Sequence, residues 1–126
     1  MMTHKDLEVW KGSMTMVKAV YSQTSSFPKT EIFGLTNQIR RSAVSVPANI
    51  SEGSARRNTK EFRYFLRISS GSLAELETLL ILAKDLEYLS AENFKILFGK
   101  IKILTVQIDH LIKSLEEKIQ NHTNIH

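Results

Sequence analysis

The chain has no cysteine, only two prolines and no long apolar run. Without cysteine, neither a disulfide framework nor a thiolate metal site can form. The longest apolar stretch, Leu79 to Ala83, falls far short of the ~20 residues that a membrane-crossing helix needs. The N-terminal residues lack the apolar core of a secretory signal. We therefore expect a cytoplasmic protein with no membrane association.

Strand-type alternation is also scarce, whereas apolar residues recur at helical spacing along most of the 126 residues. This periodicity predicts helices over residues 6–24, 30–53, 58–88 and 90–121, with a frayed tail over residues 122–126. Because the links between these segments are short, consecutive helices should lie antiparallel. The sequence thus predicts one all-α domain, an up-down-up-down four-helix bundle.

Individual residues indicate where the second helix begins, bends and ends. Thr30 is a predicted N-cap, with Glu31 in the first turn. Pro47 should kink this helix without ending it, and Gly53 is the predicted terminator. In the first helix, the predicted core stripe consists of Leu7, Trp10, Met14, Val17 and Tyr21.

The third and fourth helices carry more apolar residues than one core stripe requires. The surplus includes Ile81 and Leu82 in the third helix, and Ile96, Ile103 and Val106 in the fourth. Scattered apolar residues are common on monomers, but these cluster on two helices. The clustering favours burial against further copies of the chain, so we predict a homo-oligomer.

All six arginines lie between Arg40 and Arg67, whereas the lysines are spread along the chain. This window holds seven basic residues and only two glutamates, a local net charge of +5. The seven candidate nucleic-acid-binding residues are Arg40, Arg41, Arg56, Arg57, Lys60, Arg63 and Arg67. Four of them follow helical spacing and predict a basic ridge at the start of the third helix. We expect Arg40 and Arg41 to lie level with residues 69–71 in the antiparallel neighbour and to extend this surface.

Two interpretations of these cations remain open from the residues alone. They can contact the phosphates of RNA or DNA, which gives affinity without sequence preference. Alternatively, they can pair with carboxylates of neighbouring helices, for which Glu52, Glu75 and Glu77 are candidates. No catalytic or metal-ligand spacing accompanies them, and no cofactor is implied: the chain lacks Glu-x-x-His pairs, a P-loop and a nucleophile elbow. We therefore expect a protein that is not an enzyme.

The segment Asn37–Gly53, with its Arg-Arg, Pro-Ala-Asn-Ile and Glu-Gly elements, is the most specific motif. Together with Asp6–Lys11, Phe27–Lys29 and Gly71–Thr78, it resembles the bacterial four-helix-bundle proteins associated with intervening sequences of 23S ribosomal RNA. The resemblance extends from about Asp6 to Leu115.

This resemblance implies a ring-shaped assembly, a pentamer. It also implies similarity to the accessory variability proteins of diversity-generating retroelements, which bind nucleic acid and a reverse transcriptase. Arg40, Arg41 and Arg56 match basic positions of the family pattern. The helix-end positions of the pattern match Asn49, Glu52 and Gly53. For Asn49 and Glu52 we expect a structural role next to the turn.

These observations lead to one functional expectation and one alternative. We expect a non-enzymatic oligomer that binds RNA or DNA through its arginine-rich surface, with a reverse transcriptase as a conceivable protein partner. The alternative is a protein-binding scaffold whose arginines engage an acidic partner or stabilise the oligomer.

Overall fold

The computed structural model describes residues 3–125, except the side chains of Asp6 and of residues 123–125. Within these residues the chain is helical, with no strand, and short 3-10 turns lie at His4–Asp6 and Lys29–Glu31. The α-helices are α1 Glu8–Thr24, α2 Leu35–Ala55, α3 Thr59–Asp85 and α4 Ala91–Ile125. The predicted all-α class is confirmed.

Each helix packs against its neighbour in sequence, and α4 returns to pack on α1. The helices thus close the predicted four-helix bundle around one apolar core. Among the largest fully buried side chains are Met16, Ile39, Ile50, Leu66, Leu73, Leu76, Leu80, Leu97, Ile101 and Ile108.

The face that α1 turns to the core differs from the predicted stripe. The buried residues are Val9, Ser13, Met16, Val20 and Thr24. The predicted stripe lies on the flank of this face, where Tyr21 stays 42% exposed. Leu7, Trp10 and Val17 of this stripe still pack against the core. The predicted face was displaced because two core residues are polar. Ser13 and Thr24 donate their hydroxyls to backbone carbonyls of the preceding turn, so both enter the core with their hydrogen bonds made.

Helix α2 begins at Leu35 and not at the predicted cap Thr30. Glu31 nevertheless caps it from outside, because its Oε1 accepts a hydrogen bond from the Leu35 backbone N–H at 3.2 Å. Its Oε2 accepts a hydrogen bond from the Tyr88 hydroxyl at 3.0 Å. The carboxylate of Glu31 therefore joins the start of α2 to the link between α3 and α4.

Helix α2 continues through Pro47, as predicted, while the bend expected there stays a prediction. Side chains bond to carbonyls in this part of the helix. Asn49 Nδ2 donates to the Ser45 carbonyl oxygen at 2.8 Å, and Ser69 Oγ of α3 donates to that of Val46 at 2.9 Å. Asn49 therefore has a structural role, but inside the helix and not at the turn. Because the Ser69 side chain is short, its hydrogen bond to the Val46 carbonyl requires the backbones of α2 and α3 to lie close together.

The observed starts of α3 and α4 agree with the predicted starts better than the observed ends agree with the predicted ends. Asn58 and Ser90 act as N-caps, each accepting a hydrogen bond from a backbone N–H three residues on. Helix α3 ends at Asp85, earlier than the predicted residue 88, and Glu87 just beyond it has a positive φ of 65°.

Helix α4 extends beyond its predicted end at residue 121. It continues to Ile125, so a frayed tail is wrong for residues 122–125, and His126 lies outside the described residues. No glycine or proline follows Gly99 to interrupt the backbone hydrogen bonds. The polar composition of the tail predicted fraying, but polar residues without a breaker are compatible with a helix.

The surplus apolar residues of α3 and α4 lie at the surface, as predicted. Leu82 is 46% exposed, and Ile103 is 61% exposed. In the part of the chain that the structure describes, no helix is long and apolar enough to span a bilayer.

Candidate nucleic-acid interface

The hairpin between α2 and α3 places several of the predicted basic residues close together. Helix α2 runs past Gly53 to Ala55, and Arg57, with φ of 54°, lies in the link to α3. Gly53 is therefore not the predicted terminator. It is buried against α3, where an added Cβ would lie 2.7 Å from the Cβ of Phe65. The missing side chain allows the two helices to approach closely at this end.

Arg56 is neutralised within the hairpin. Its Nη2 donates to Glu52 Oε1 at 2.8 Å, and its Nη1 lies 3.6 Å from Glu61 Oε1. Its guanidinium also lies over the ring of Phe65, 5.1 Å from the centroid. The hydrogen bond to Glu52, followed by the charge of that carboxylate, raises the pKa of Arg56. Glu52 thus has the structural role expected for it.

Arg67 is also paired, in this case with a carboxylate of another helix. Its Nη2 donates to Glu116 Oε1 at 2.5 Å, which joins α3 to α4. The expectation that Glu75 or Glu77 would pair with an arginine is wrong. Glu75 accepts a hydrogen bond from Ser42, and Glu77 pairs with Lys102 at 3.4 Å. Their partners are thus a serine of α2 and a lysine of α4, and not an arginine.

Arg40 joins α2 to the end of α1. Its Nε donates to Thr24 Oγ1 at 2.9 Å, and its guanidinium lies 4.5 Å from the ring centroid of Tyr21. Its Nη2 also lies 3.4 Å from the Tyr21 carbonyl oxygen. Arg40 is therefore held in place by neutral groups, and none of its contacts is with a carboxylate.

Three of the seven predicted cations have neither a carboxylate partner nor a side-chain hydrogen bond among the described side chains. Arg41, Lys60 and Arg63 form no ion pair or side-chain hydrogen bond with any side chain that the structure describes. Arg41 and Lys60 are exposed, and Arg63 is half-buried. We call these three residues the unpaired cations. Arg57 is not among them, because it interacts with another group of the protein.

Lys60 lies in a basic groove that sequence analysis did not identify. The groove has a volume of about 320 Å³ and is also lined by Lys118 and His122 of α4. The antiparallel register that pairs Glu77 with Lys102 brings the start of α3 to the end of α4. The helical pattern of the sequence already implied this meeting of ends, so Lys118 could have been found from it.

The basic residues form two groups and not one continuous surface. Ser42 contacts Glu75 and Ser45 contacts Ser72, so Arg40 and Arg41 lie nearer to residues 76–77 than to the predicted residues 69–71. Along α2, the 14 residues from Arg41 to Ala55 correspond to roughly 21 Å. The prediction was wrong because it placed the turn at Gly53, before the true end of the helix.

The first group lies in an open groove that we call the Phe33 groove. Its volume is about 590 Å³. Its lining consists of Tyr21, Ile32, Phe33, Thr36, Asn37, Arg40, Arg41, Val44 and Ser45. Phe33, in the link before α2, is 93% exposed. None of the described side chains that line this groove is acidic, so its two arginines give it a positive potential.

The described residues contain no group of three or more His, Asp or Glu side chains placed to hold a metal ion. Both grooves offer positive charge and hydrogen-bond donors instead, and the Phe33 groove adds exposed aromatic surface. These are properties suited to contact with an anionic macromolecule.

Comparisons with known proteins identify a family and a fold. The family model of the 23S rRNA-intervening sequence proteins matches residues 5–110. A solved structure from Bacteroides thetaiotaomicron, described as a protein of unknown function from the S23 ribosomal protein family, is similar with a TM-score of 0.75 and 23% identity. The similarity covers 83% of this chain and 98% of that one. No curated protein matches the sequence.

Proposed function

Because this chain belongs to the 23S rRNA-intervening sequence protein family, we propose that it is a non-enzymatic, self-assembling cytoplasmic protein that binds RNA or DNA. The observation that carries the proposal is the set of unpaired cations, Arg41, Lys60 and Arg63. The name of the family refers to ribosomal RNA, which makes RNA the first polyanion to test.

Phosphate is the ligand that these cations suit best. An arginine without an acidic neighbour can offer its planar fork to two phosphate oxygens, and a lysine can neutralise a further phosphate. Neutralisation releases the counterions condensed on the nucleic acid, which favours binding at low salt. Arg56 and Arg67 contribute less, because each would first have to leave a carboxylate.

Self-assembly would multiply this surface. The exposed apolar residues of α3 and α4 support burial against further copies of the chain. The resemblance of the sequence implies five subunits in a closed ring. Each subunit would repeat the unpaired cations, so that several weak contacts could act together with high avidity.

The test is a triple substitution, Arg41→Gln, Lys60→Gln and Arg63→Gln, measured by equilibrium binding to a mixed RNA. We expect affinity to fall at least about tenfold, because a hydrogen bond to a charged group contributes about 1.5–3 kcal/mol. The matched control is Lys18→Gln, Lys29→Gln and Lys95→Gln, which removes equal charge from three other exposed lysines. Equal losses in the two variants, or no binding by the unmodified protein, would contradict the proposal.

A protein-binding scaffold is the second candidate function. The exposed apolar residues of α3 and α4 favour it, since such a surface can also receive a different protein. The ion pairs of Arg56 and Arg67 favour it too, because these arginines then stabilise the fold and its assembly. Under this candidate, RNA affinity would be weak and unaffected by the triple substitution.

A further inference from the structure

Phe33 is the most exposed large apolar side chain of the described residues, at 93%. It lies in the link between the 3-10 turn and α2, at the edge of the Phe33 groove. Leaving a phenylalanine ring in water forgoes most of the free energy that its burial would give. An aromatic ring held in this position suits a ligand that covers its face.

The polar groups of the groove indicate what kind of ligand this is. Arg41 has no carboxylate partner, and Arg40 is stacked on the ring of Tyr21, so positive charge lies beside two aromatic rings. Asn37 is exposed on the same lining and offers both amide donors and an amide acceptor.

Thr36 supplies an independent observation. Its Oγ1 is buried and has no hydrogen-bond partner among the described residues, although Thr36 lines the groove. A buried hydroxyl without a partner carries a free-energy cost, because its hydrogen bonds to water have been lost and not replaced. A ligand with a polar edge that reaches this depth would remove the cost.

We propose that the Phe33 groove binds an unpaired nucleotide of single-stranded nucleic acid, with its base stacked on Phe33 and its phosphate on Arg41. This inference rests on the proposed function and names the form of nucleic acid. Single-strand sites combine a positively charged groove with aromatic rings on which bases stack. A duplex cannot use Phe33 in this way, because its bases are already stacked on each other.

An acidic segment of a protein would also satisfy the two arginines. The nucleotide accounts for more of the site, because it brings a flat base for Phe33 and hydrogen-bonding edges for Asn37 and Thr36 along with its charge. Those edges match an amide and a hydroxyl better than carboxylates do, since a carboxylate only accepts hydrogen bonds.

The experiment compares Phe33→Ala, Phe33→Leu and Phe33→Trp by fluorescence anisotropy. The probes are a 12-nucleotide oligouridylate, the matching oligodeoxythymidylate and a 12-base-pair RNA duplex. We expect Phe33→Ala and Phe33→Leu to weaken binding of the single strands about 5- to 100-fold, the effect of losing one stacked base. Phe33→Trp should preserve that binding, and duplex affinity should change less than about twofold. The two single strands show whether the groove prefers ribose or deoxyribose.

The control is Leu86→Ala, which shortens an exposed apolar side chain in the link between α3 and α4 that does not line the groove, and it should leave all affinities unchanged. Full single-strand binding by Phe33→Leu would overturn the inference, because an aliphatic side chain cannot stack. The inference would also be overturned if Phe33→Ala lowered the mass of the assembly, because the groove would then be a contact between copies of the chain. If the unmodified protein bound none of the three probes, that result would instead contradict the proposed function.

Discussion

Glycine has opposite roles at two positions of the same hairpin. Gly53 lies against α3, so that a Cβ there would approach Phe65 Cβ at 2.7 Å and Phe62 Cδ1 at 3.1 Å. A Cβ at Gly71 would meet nothing within 4 Å. In the sequence, Gly53 appeared only as a glycine at the end of a helical segment, and Gly71 only as a glycine within such a segment. What each glycine contacts depends on the neighbouring helix, which local spacing does not reveal.

We predict opposite changes in stability for alanine at these two positions. Gly71→Ala should stabilise the protein by up to about 1 kcal/mol, because alanine favours a helix. Gly53→Ala gains the same preference but crowds the hairpin, which costs about 1–3 kcal/mol. Its unfolding midpoint in urea should therefore fall, while that of Gly71→Ala rises. If both variants were stabilised, the close approach of α2 and α3 would be wrong.

At the scale of the helices, the sequence predicts the presence of each helix well and the residues at which each helix begins and ends less well. The apolar period identified four helices and their order, and the structure adds that Asn58 and Ser90 cap two of them. The start of α2 was misplaced because Glu31 caps that helix from four residues before Leu35. The same carboxylate also accepts a hydrogen bond from Tyr88, which is distant in sequence. A boundary fixed by such a tertiary contact cannot be read from residues 30–35 alone.

The contact between Tyr88 and Glu31 should make stability depend on pH. The hydrogen bond to the Glu31 carboxylate, followed by burial, raises the pKa of Tyr88 above its ordinary value of about 10. A raised pKa means that the stabilisation is complete below about pH 10 and is lost as pH rises through the folded-state value. The phenolate then has no proton to donate and repels the carboxylate.

We therefore predict that Tyr88→Phe lowers the urea midpoint at pH 7, and that the difference from the unmodified protein shrinks above about pH 10. The ring contact with Phe27, with centroids 5.8 Å apart, can persist in the variant. Tyr64→Phe is the control, because Tyr64 is exposed and makes no side-chain hydrogen bond within the described residues. A difference that stayed constant to pH 11 would argue against this contact.

At the scale of the whole molecule, the excess of positive charge was predictable. Which cations are paired with carboxylates and which are not was not predictable. Composition showed that cations outnumber acids between Arg40 and Arg67. Which cations are neutralised depends on how helices face each other: Arg67 meets Glu116, 49 residues away. Lys118 and the Phe33 groove went unnoticed for the same reason. Lys118 joins Lys60 only because two segments distant in sequence meet in the fold. The Phe33 groove depends on the link before α2, which was predicted as helix.

The exposed apolar residues of α3 and α4 make a prediction about assembly. Light scattering should give a mass several times the 14.4 kDa of one chain. Leu82→Gln, Ile103→Gln and Val106→Gln together should shift that mass toward the monomer, because these side chains are exposed on the single chain. The lysine control described above should keep the assembled mass. A monomer at micromolar concentration for the unmodified protein would contradict self-assembly.

The salt dependence of RNA binding tests the role of the unpaired cations most directly. For the unmodified protein, the logarithm of the affinity should fall linearly with the logarithm of salt concentration. The triple variant at Arg41, Lys60 and Arg63 should have a slope shallower by about 2 to 3 per subunit that contacts the RNA, since each phosphate contact contributes roughly 0.7–0.9. Identical slopes for the two proteins would show that these cations do not contact phosphate.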